Sequence, residues 1–176
     1  MKKHFKSDIL NGLNFVRLTR FLNLSNHLLE LFMGWEDDHF CFACGNKNHD
    51  GLKLHFYEKD GKLFTEYAFP KKFQGYAGVV HGGMISLVLD EVTVNLPWRM
   101  YDTPVVTAEL TVRLKKPALI GQKIIFSSWI EKEVKNLISV KGEAALESGE
   151  VIATAAVKCF KVKLEQVEEK IKDRGL

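Results

Sequence analysis

Residues 81–97 read His81-Gly82-Gly83-Met84-Ile85-Ser86-Leu87-Val88-Leu89-Asp90-Glu91-Val92-Thr93-Val94-Asn95-Leu96-Pro97. As a helix this stretch has almost no polar face: Met84, Ile85, Leu87, Val88, Leu89, Val92, Val94 and Leu96 cover it nearly all round. A helix that is apolar all round must be buried all round. Pro97 is expected to close it, because proline cannot continue a helix interior. The flanking segments say what buries it. Upstream, Leu52-Lys53-Leu54-His55-Phe56 alternates apolar and polar, Lys59-Asp60-Gly61-Lys62 supplies turn residues, and Leu63 to Phe69 continues as a strand, which predicts a hairpin. A glycine-containing loop, Pro70 to Gly78, leads into the helix. Downstream, four strand-like segments follow: Val105–Leu114, Lys123–Val134, Leu137–Leu146 and Val151–Val162. Only the first of them is preceded by a helix, so most connections are hairpins and the sheet should be antiparallel. The expected fold class is α+β: a curved antiparallel six-stranded sheet wrapped around one central buried helix, Gly83–Leu96.

Composition sets the frame for that domain. The chain has 176 residues and is 46% hydrophobic, enough for one domain with a real core. No apolar run approaches the roughly 18 residues of a transmembrane helix, and Asp8, Asn11 and Asn14 stand where a signal peptide needs an apolar stretch. Three cysteines, an odd set, argue against a secreted disulfide framework. A cytoplasmic protein without membrane insertion is expected. Residues 1–35 carry Lys2, Lys3, Lys6, Arg17 and Arg20 against Asp8 and Glu30, which accounts for the whole net charge of +3. The body is therefore neutral, with no footprint for nucleic acid.

Four segments emerge: a helical extension over 1–35, a polar connector over 36–50, the sheet-and-helix domain over 51–163 and a charged tail over 164–176. In the extension, Phe5, Ile9, Leu13 and Val16 recur at helical spacing. Ser25 is a fair N-cap for a second short helix and Gly34 a stop. A cap docked on the domain, a membrane-surface helix and an organelle presequence all suit such a segment.

The run Phe73-Gln74-Gly75-Tyr76-Ala77-Gly78-Val79-Val80-His81-Gly82-Gly83, continuing to Asp90-Glu91, resembles the signature of hotdog-fold acyl-CoA thioesterases. These are the relatives of phenylacetyl-CoA and 4-hydroxybenzoyl-CoA thioesterases. The resemblance spans roughly Cys41 to Lys163 and includes Thr107, Arg113 and Pro117, spaced as Thr-x-x-x-x-x-Arg-x-x-x-Pro. It implies the hotdog fold, an acyl-CoA substrate, a homodimer or tetramer, and hydrolysis without cofactor or metal.

The residue types suit that chemistry. Thioester hydrolysis needs a polarised carbonyl and an activated water. Gly82 and Gly83 open the helix, where backbone N–H groups have no partner within it, no side chain blocks approach, and the dipole favours developing negative charge. The resemblance implies that Gly82 N–H holds the thioester oxygen, that His81 orients the loop or touches substrate, and that Gly83 contributes to substrate binding. Asp90 is a carboxylate inside an apolar helix, costly if unpaired. The family places its catalytic carboxylate there; a structural acid at a subunit interface is the alternative. Glu91 lies on another face and is the weaker catalytic candidate. Thr107 corresponds to a residue that helps hold the water, or is a strand threonine chosen for β propensity. Arg113, Lys115 and Lys116 stand where relatives place basic groups near CoA phosphates, or are a solvated strand end. Relatives often carry an amide six residues before the histidine; here that position is Gly75, and either Gln74 beside it substitutes or that role is vacant.

Cys41-x-x-Cys44-Gly45 is one cysteine pair without a second, a weak metal signal that makes zinc the lesser reading, with His39 and His49 as further donors nearby. Some relatives in the family it resembles carry a similar Cys-x-x-Cys-Gly before the first strand, and the resemblance implies a structural turn. Cys159 reads as core. The rival function is a non-hydrolytic acyl-CoA-binding regulatory module. A hotdog dehydratase lacks support, since no Asp…His arrangement stands on the helix.

Overall fold

The computed structural model describes residues 38–162. The helical extension over 1–35 and the tail over 164–176 lie outside the described residues. Six strands form one antiparallel sheet: β1 (Tyr57–Lys59), β2 (Lys62–Ala68), β3 (Val105–Leu114), β4 (Lys123–Val134), β5 (Leu137–Leu146) and β6 (Val151–Lys161). Their spatial order is β1-β2-β4-β5-β6-β3. One long helix, α1 (Gly82–Tyr101), follows β2 and a short 3₁₀ turn at Lys71–Phe73. The helix crosses the sheet and delivers β3 to the far edge beside β6, while β4, β5 and β6 are joined by hairpins. This is the hotdog fold.

The sheet holds the helix because its inner face is apolar and locally stripped of bulk. Ile85, Val88, Leu89, Val92 and Leu96 are buried against Leu63, Phe126, Ile138, Val140, Ile152 and Val157. At Gly142 of β5 an added Cβ would stand 2.8 Å from Thr93 Cγ2 and 3.3 Å from Leu89 Cδ2, so this position lets the helix lie close to the sheet. Ser128 Oγ donates to the Val92 carbonyl at 2.7 Å and ties β4 to the helix.

Three local expectations are corrected. The helix does not end at Pro97 but runs through it to Tyr101, with Asp102 in the left-handed region as its C-cap. The ring removes one backbone bond and crowds the preceding turn. Burial of Leu96 and Pro97, and a 2.5 Å bond from the Tyr101 hydroxyl to Glu133, support the last turn in compensation. The first strand is not Leu52–Phe56 but the shorter Tyr57–Lys59. Leu52 and Leu54 point inward as their alternation requires, yet their N–H groups donate to the Phe42 and Ala43 carbonyls, and Lys53 takes a positive φ of 54°. The helix is not buried all round within one chain either: Met84, Leu87, Asp90, Glu91 and Val94 are only half-buried.

Candidate active site

The loop before the helix is held on both sides. Gly75 N–H donates to Val79 O, His81 N–H to Phe73 O and Val80 N–H to Ala118 O, each at 2.9 Å. Gly78 turns the chain at φ 78°, a left-handed conformation that suits glycine. Gln74 contributes inside this loop: its Oε1 accepts from Gly78 N–H at 3.3 Å. The side chain expected to replace the missing amide thus braces the turn.

His81 is the helix N-cap. Its Nδ1 accepts from Gly83 N–H at 3.0 Å, so in this arrangement Nδ1 is the unprotonated nitrogen. This bond takes up the Gly83 N–H. The Gly82 N–H has no acceptor among the described residues. Gly82 also faces the end of β3, where an added Cβ would stand 2.5 Å from Leu114 Cδ1. The two glycines of the motif therefore differ: one N–H closes the cap and the other remains open.

Asp90 lies further along the same helix, half-buried, and its Oδ1 accepts from the Thr107 hydroxyl of β3 at 2.9 Å. A register shift in the β3–β6 ladder falls between Thr107 and Glu109, immediately beyond this contact. Bulges of this kind re-aim a side chain next to a site. Thr107 pairs with Cys159 of β6. Burial first, then the Asp90 charge, raise the Cys159 thiol to about 11, while its bond with Thr107 acts the other way. The residue read as core therefore backs the Asp90–Thr107 pair.

Glu91 faces elsewhere, toward the connector. Its Oε1 accepts from Asn95 Nδ2 at 3.0 Å and stands 3.9 Å from Cys41 Sγ. Burial first, then the neighbouring Glu91, push the Cys44 thiol far above its ordinary range. Arg113, Lys115 and Lys116 are exposed at the end of β3. Lys116 pairs with Glu150, whereas Arg113 and Lys115 make no ion pair among the described residues. All three cysteines are free thiols.

With this geometry in view, the comparisons with known proteins fall into one group. Residues 77–153 match the family described as the Thioesterase superfamily. A putative thioesterase from Ralstonia eutropha JMP134, a phenylacetic acid degradation-related protein, is 27% identical, with TM-score 0.57 over 62% of this chain and 85% of that one. Zebra fish thioesterase superfamily member 2 is 18% identical, with TM-score 0.59 over 68% of this chain and 90% of that one. The Streptococcus mutans protein smu.793, bound to acetyl CoA, is 16% identical, with TM-score 0.57 over 62% and 88%. No curated protein sequence matches the chain. The family match and the fold together support the hotdog-thioesterase resemblance read from the His81-Gly82-Gly83 stretch. No helix among the described residues is long and apolar enough to cross a membrane.

Proposed function

We propose that this hotdog-fold domain of the thioesterase superfamily hydrolyses an acyl-CoA to the free acid and CoA, with Asp90 activating the water. The observation that carries the reading is the 2.9 Å bond from Thr107 to Asp90 Oδ1. It fixes one carboxylate oxygen and leaves Oδ2 to take a proton from water. The resulting hydroxide attacks the thioester carbonyl, and the oxyanion forms at the free Gly82 N–H. Collapse of that intermediate breaks the C–S bond, and the CoA thiolate leaves with the proton that Asp90 took from the water, which returns the carboxylate to its ionised form. Preorganised donors aimed at the developing charge are commonly the largest single contribution to such a reaction.

Gly82 and Asp90 of one helix are on the order of 10 Å apart by helical rise, too far for one water and one carbonyl to meet both. A second subunit is therefore part of the proposal, with the carboxylate of one chain facing the glycine of the other. Two features suit an assembly. Among the described residues β3 is an edge strand of the sheet with one side unpaired, a template for another chain. Leu110 and Leu114 on it are 37% and 50% exposed beside a helix whose Met84, Leu87 and Val94 are half-buried. Arg113 and Lys115, which make no ion pair among the described residues, are the groups we assign to the CoA phosphates. The bound acetyl CoA of the Streptococcus mutans structure accords with a CoA ligand.

The test is a panel of aromatic, short-chain and medium-chain acyl-CoA substrates followed by release of free thiol, with wild type and Asp90→Asn side by side. Turnover of at least one substrate that collapses in Asp90→Asn is expected. Tight acyl-CoA binding without turnover would instead favour the binding-module reading.

A further inference from the structure

Cys41 and Cys44 come from the connector and Glu91 from α1, fifty residues away from Cys41 in sequence. Two thiol sulfurs and a carboxylate oxygen of these residues lie within 4.8 Å of one another. We propose that these three side chains hold a zinc ion that ties the connector to the helix at the residue next to Asp90.

The donor set matches that ion. Two sulfurs select a thiophilic metal over magnesium or calcium, and a carboxylate beside them suits zinc. Zn–S bonds of about 2.3 Å and a Zn–O bond of about 2.1 Å in a tetrahedron put the ligand atoms roughly 3.6–3.8 Å apart. Cys41 Sγ and Glu91 Oε1 already stand 3.9 Å apart. The fourth position falls to water or to the second carboxylate oxygen; neither His39 nor His49 joins the cluster.

Two independent features show a built site rather than a chance meeting. The Cys41–Gly45 turn is closed by Gly45 N–H donating to Cys41 O at 2.9 Å, and Ala43 N–H points at Cys41 Sγ at 3.4 Å. A backbone donor aimed at a cysteine sulfur favours the thiolate that a metal needs. Position 45 has no room for a side chain: a Cβ there would stand 2.5 Å from Cys41 N and 2.6 Å from Cys41 O. On the helix side, Asn95 is buried, and its amide is spent on Glu91, donating to the backbone carbonyl at 2.9 Å and to Oε1 at 3.0 Å. A buried amide that orients a carboxylate is how metal ligands are held from behind. The connector is in turn fastened to the domain through Leu52 and Leu54. A metal here would close the remaining link.

The experiment uses the full chain purified under reducing conditions. Metal content by elemental mass spectrometry should give about one zinc per chain. After removal with a chelator, a thiol reagent should reach Cys41 and Cys44, and readdition of zinc should protect both. Cobalt in place of zinc should show the thiolate-to-metal charge-transfer band and the intense visible bands of a tetrahedral site. Cys41→Ser should abolish that charge-transfer pattern or weaken zinc binding by more than tenfold, and Asn95→Ala should weaken it about 10–100-fold. If the variants fail to fold, the wild-type thiol-protection measurement decides alone. Failure of zinc to protect the thiols overturns the proposal, and so does a chain mass two hydrogens lighter, the mark of a Cys41–Cys44 disulfide. Unchanged zinc affinity in Cys41→Ser does the same. None of these readouts depends on hydrolysis, so the site and the proposed activity stand or fall separately.

Discussion

The Thr107 hydroxyl donates to Asp90 Oδ1 at 2.9 Å, joining the edge strand β3 to the middle of the helix. The two residues are seventeen apart in sequence and meet because the helix crosses the sheet before β3 begins. A neutral hydroxyl bound to one oxygen orients a carboxylate without neutralising it, as a base requires.

That relationship makes Thr107 a positioning residue with a measurable signature. Thr107→Val keeps the branched shape and removes the donor. A hydrogen bond to a charged group contributes about 1.5–3 kcal/mol, so kcat should fall roughly 10–100-fold, and Thr107→Ser should restore most of it. Steady-state kinetics of the three proteins check this. Equal activity in Thr107→Val would return the residue to an ordinary strand threonine.

The cap at the head of the helix predicts a stability effect. His81 Nδ1 accepts from Gly83 N–H at 3.0 Å, and loss of an N-cap acceptor costs about 0.5–2 kcal/mol. His81→Ala should therefore unfold at lower denaturant concentration by that amount, with unchanged slope. His81→Asn, which can still cap, should recover most of the loss. Equilibrium urea unfolding followed by circular dichroism separates the two.

How legible the site was depended on whether its parts were local. The run from His81 to Leu96 declared a helix and its glycine entrance, and the turn residues between the last three strands declared hairpins. Pro97 misled because the rule against interior proline is local, while burial of Leu96 and Pro97 is tertiary. Leu52 and Leu54 showed the right faces, but nothing in their alternation says that their N–H groups go to the cysteine turn rather than to a strand. By spacing alone Glu91 is a weak catalytic candidate. Its nearness to Cys41 follows only once the connector is laid against the helix. The turn residues place Gln74 in the loop, but spacing alone does not show its bond to Gly78.

The edge position of β3 bears on assembly. If a second chain completes the site, the protein should have at least the mass of a dimer at micromolar concentration in solution scattering or analytical ultracentrifugation. Leu110→Glu places a charge on the exposed apolar flank of this strand and should shift the mass toward monomer, with hydrolysis lost in parallel. A wild-type monomer that hydrolyses acyl-CoA at full rate would contradict the shared site.

Tyr101, Glu133 and Lys161 form a cluster at the far end of the helix, with Glu133 bonded to the other two at 2.5 Å each. The Lys161 bond, then the Tyr101 bond, lower the Glu133 carboxyl from its ordinary 4.5. The Glu133 bond, then burial, raise the Tyr101 phenol to about 12. A depressed carboxyl stabilises the fold above its unfolded value and loses that contribution as pH falls through the folded value. A raised phenol contributes below its unfolded value and loses it as pH rises through the folded one. Glu133→Gln should accordingly have a lower Tm than wild type at neutral pH. The gap should narrow once pH drops below 4.5 and again as pH approaches 12. Thermal scans at three pH values test it; a gap independent of pH would assign the effect to packing.

The decisive prediction separates the two adjacent carboxylates, which the fold sends in different directions. Asp90 meets Thr107 at 2.9 Å, whereas Glu91 meets Asn95 and stands 3.9 Å from Cys41. Asp90→Asn keeps size and can still bond to Thr107, but removes the base. Loss of a general base lowers rates by about 10²–10⁴. The loss should fall on kcat with KM little changed, the pattern for an interaction made only in the transition state. Glu91→Gln should lose less than tenfold in kcat while its zinc affinity drops, because its oxygen faces the cysteines rather than the water. Hydrolysis of one good acyl-CoA, with metal content and oligomer mass measured on the same preparations, resolves the pair. A large kcat loss in Glu91→Gln beside near-full activity in Asp90→Asn would transfer the base to the other carboxylate. Full activity in both would leave the hydrolysis standing and remove both carboxylates as its base, whereas binding of acyl-CoA without turnover in the wild type would leave an acyl-CoA-binding module in its place.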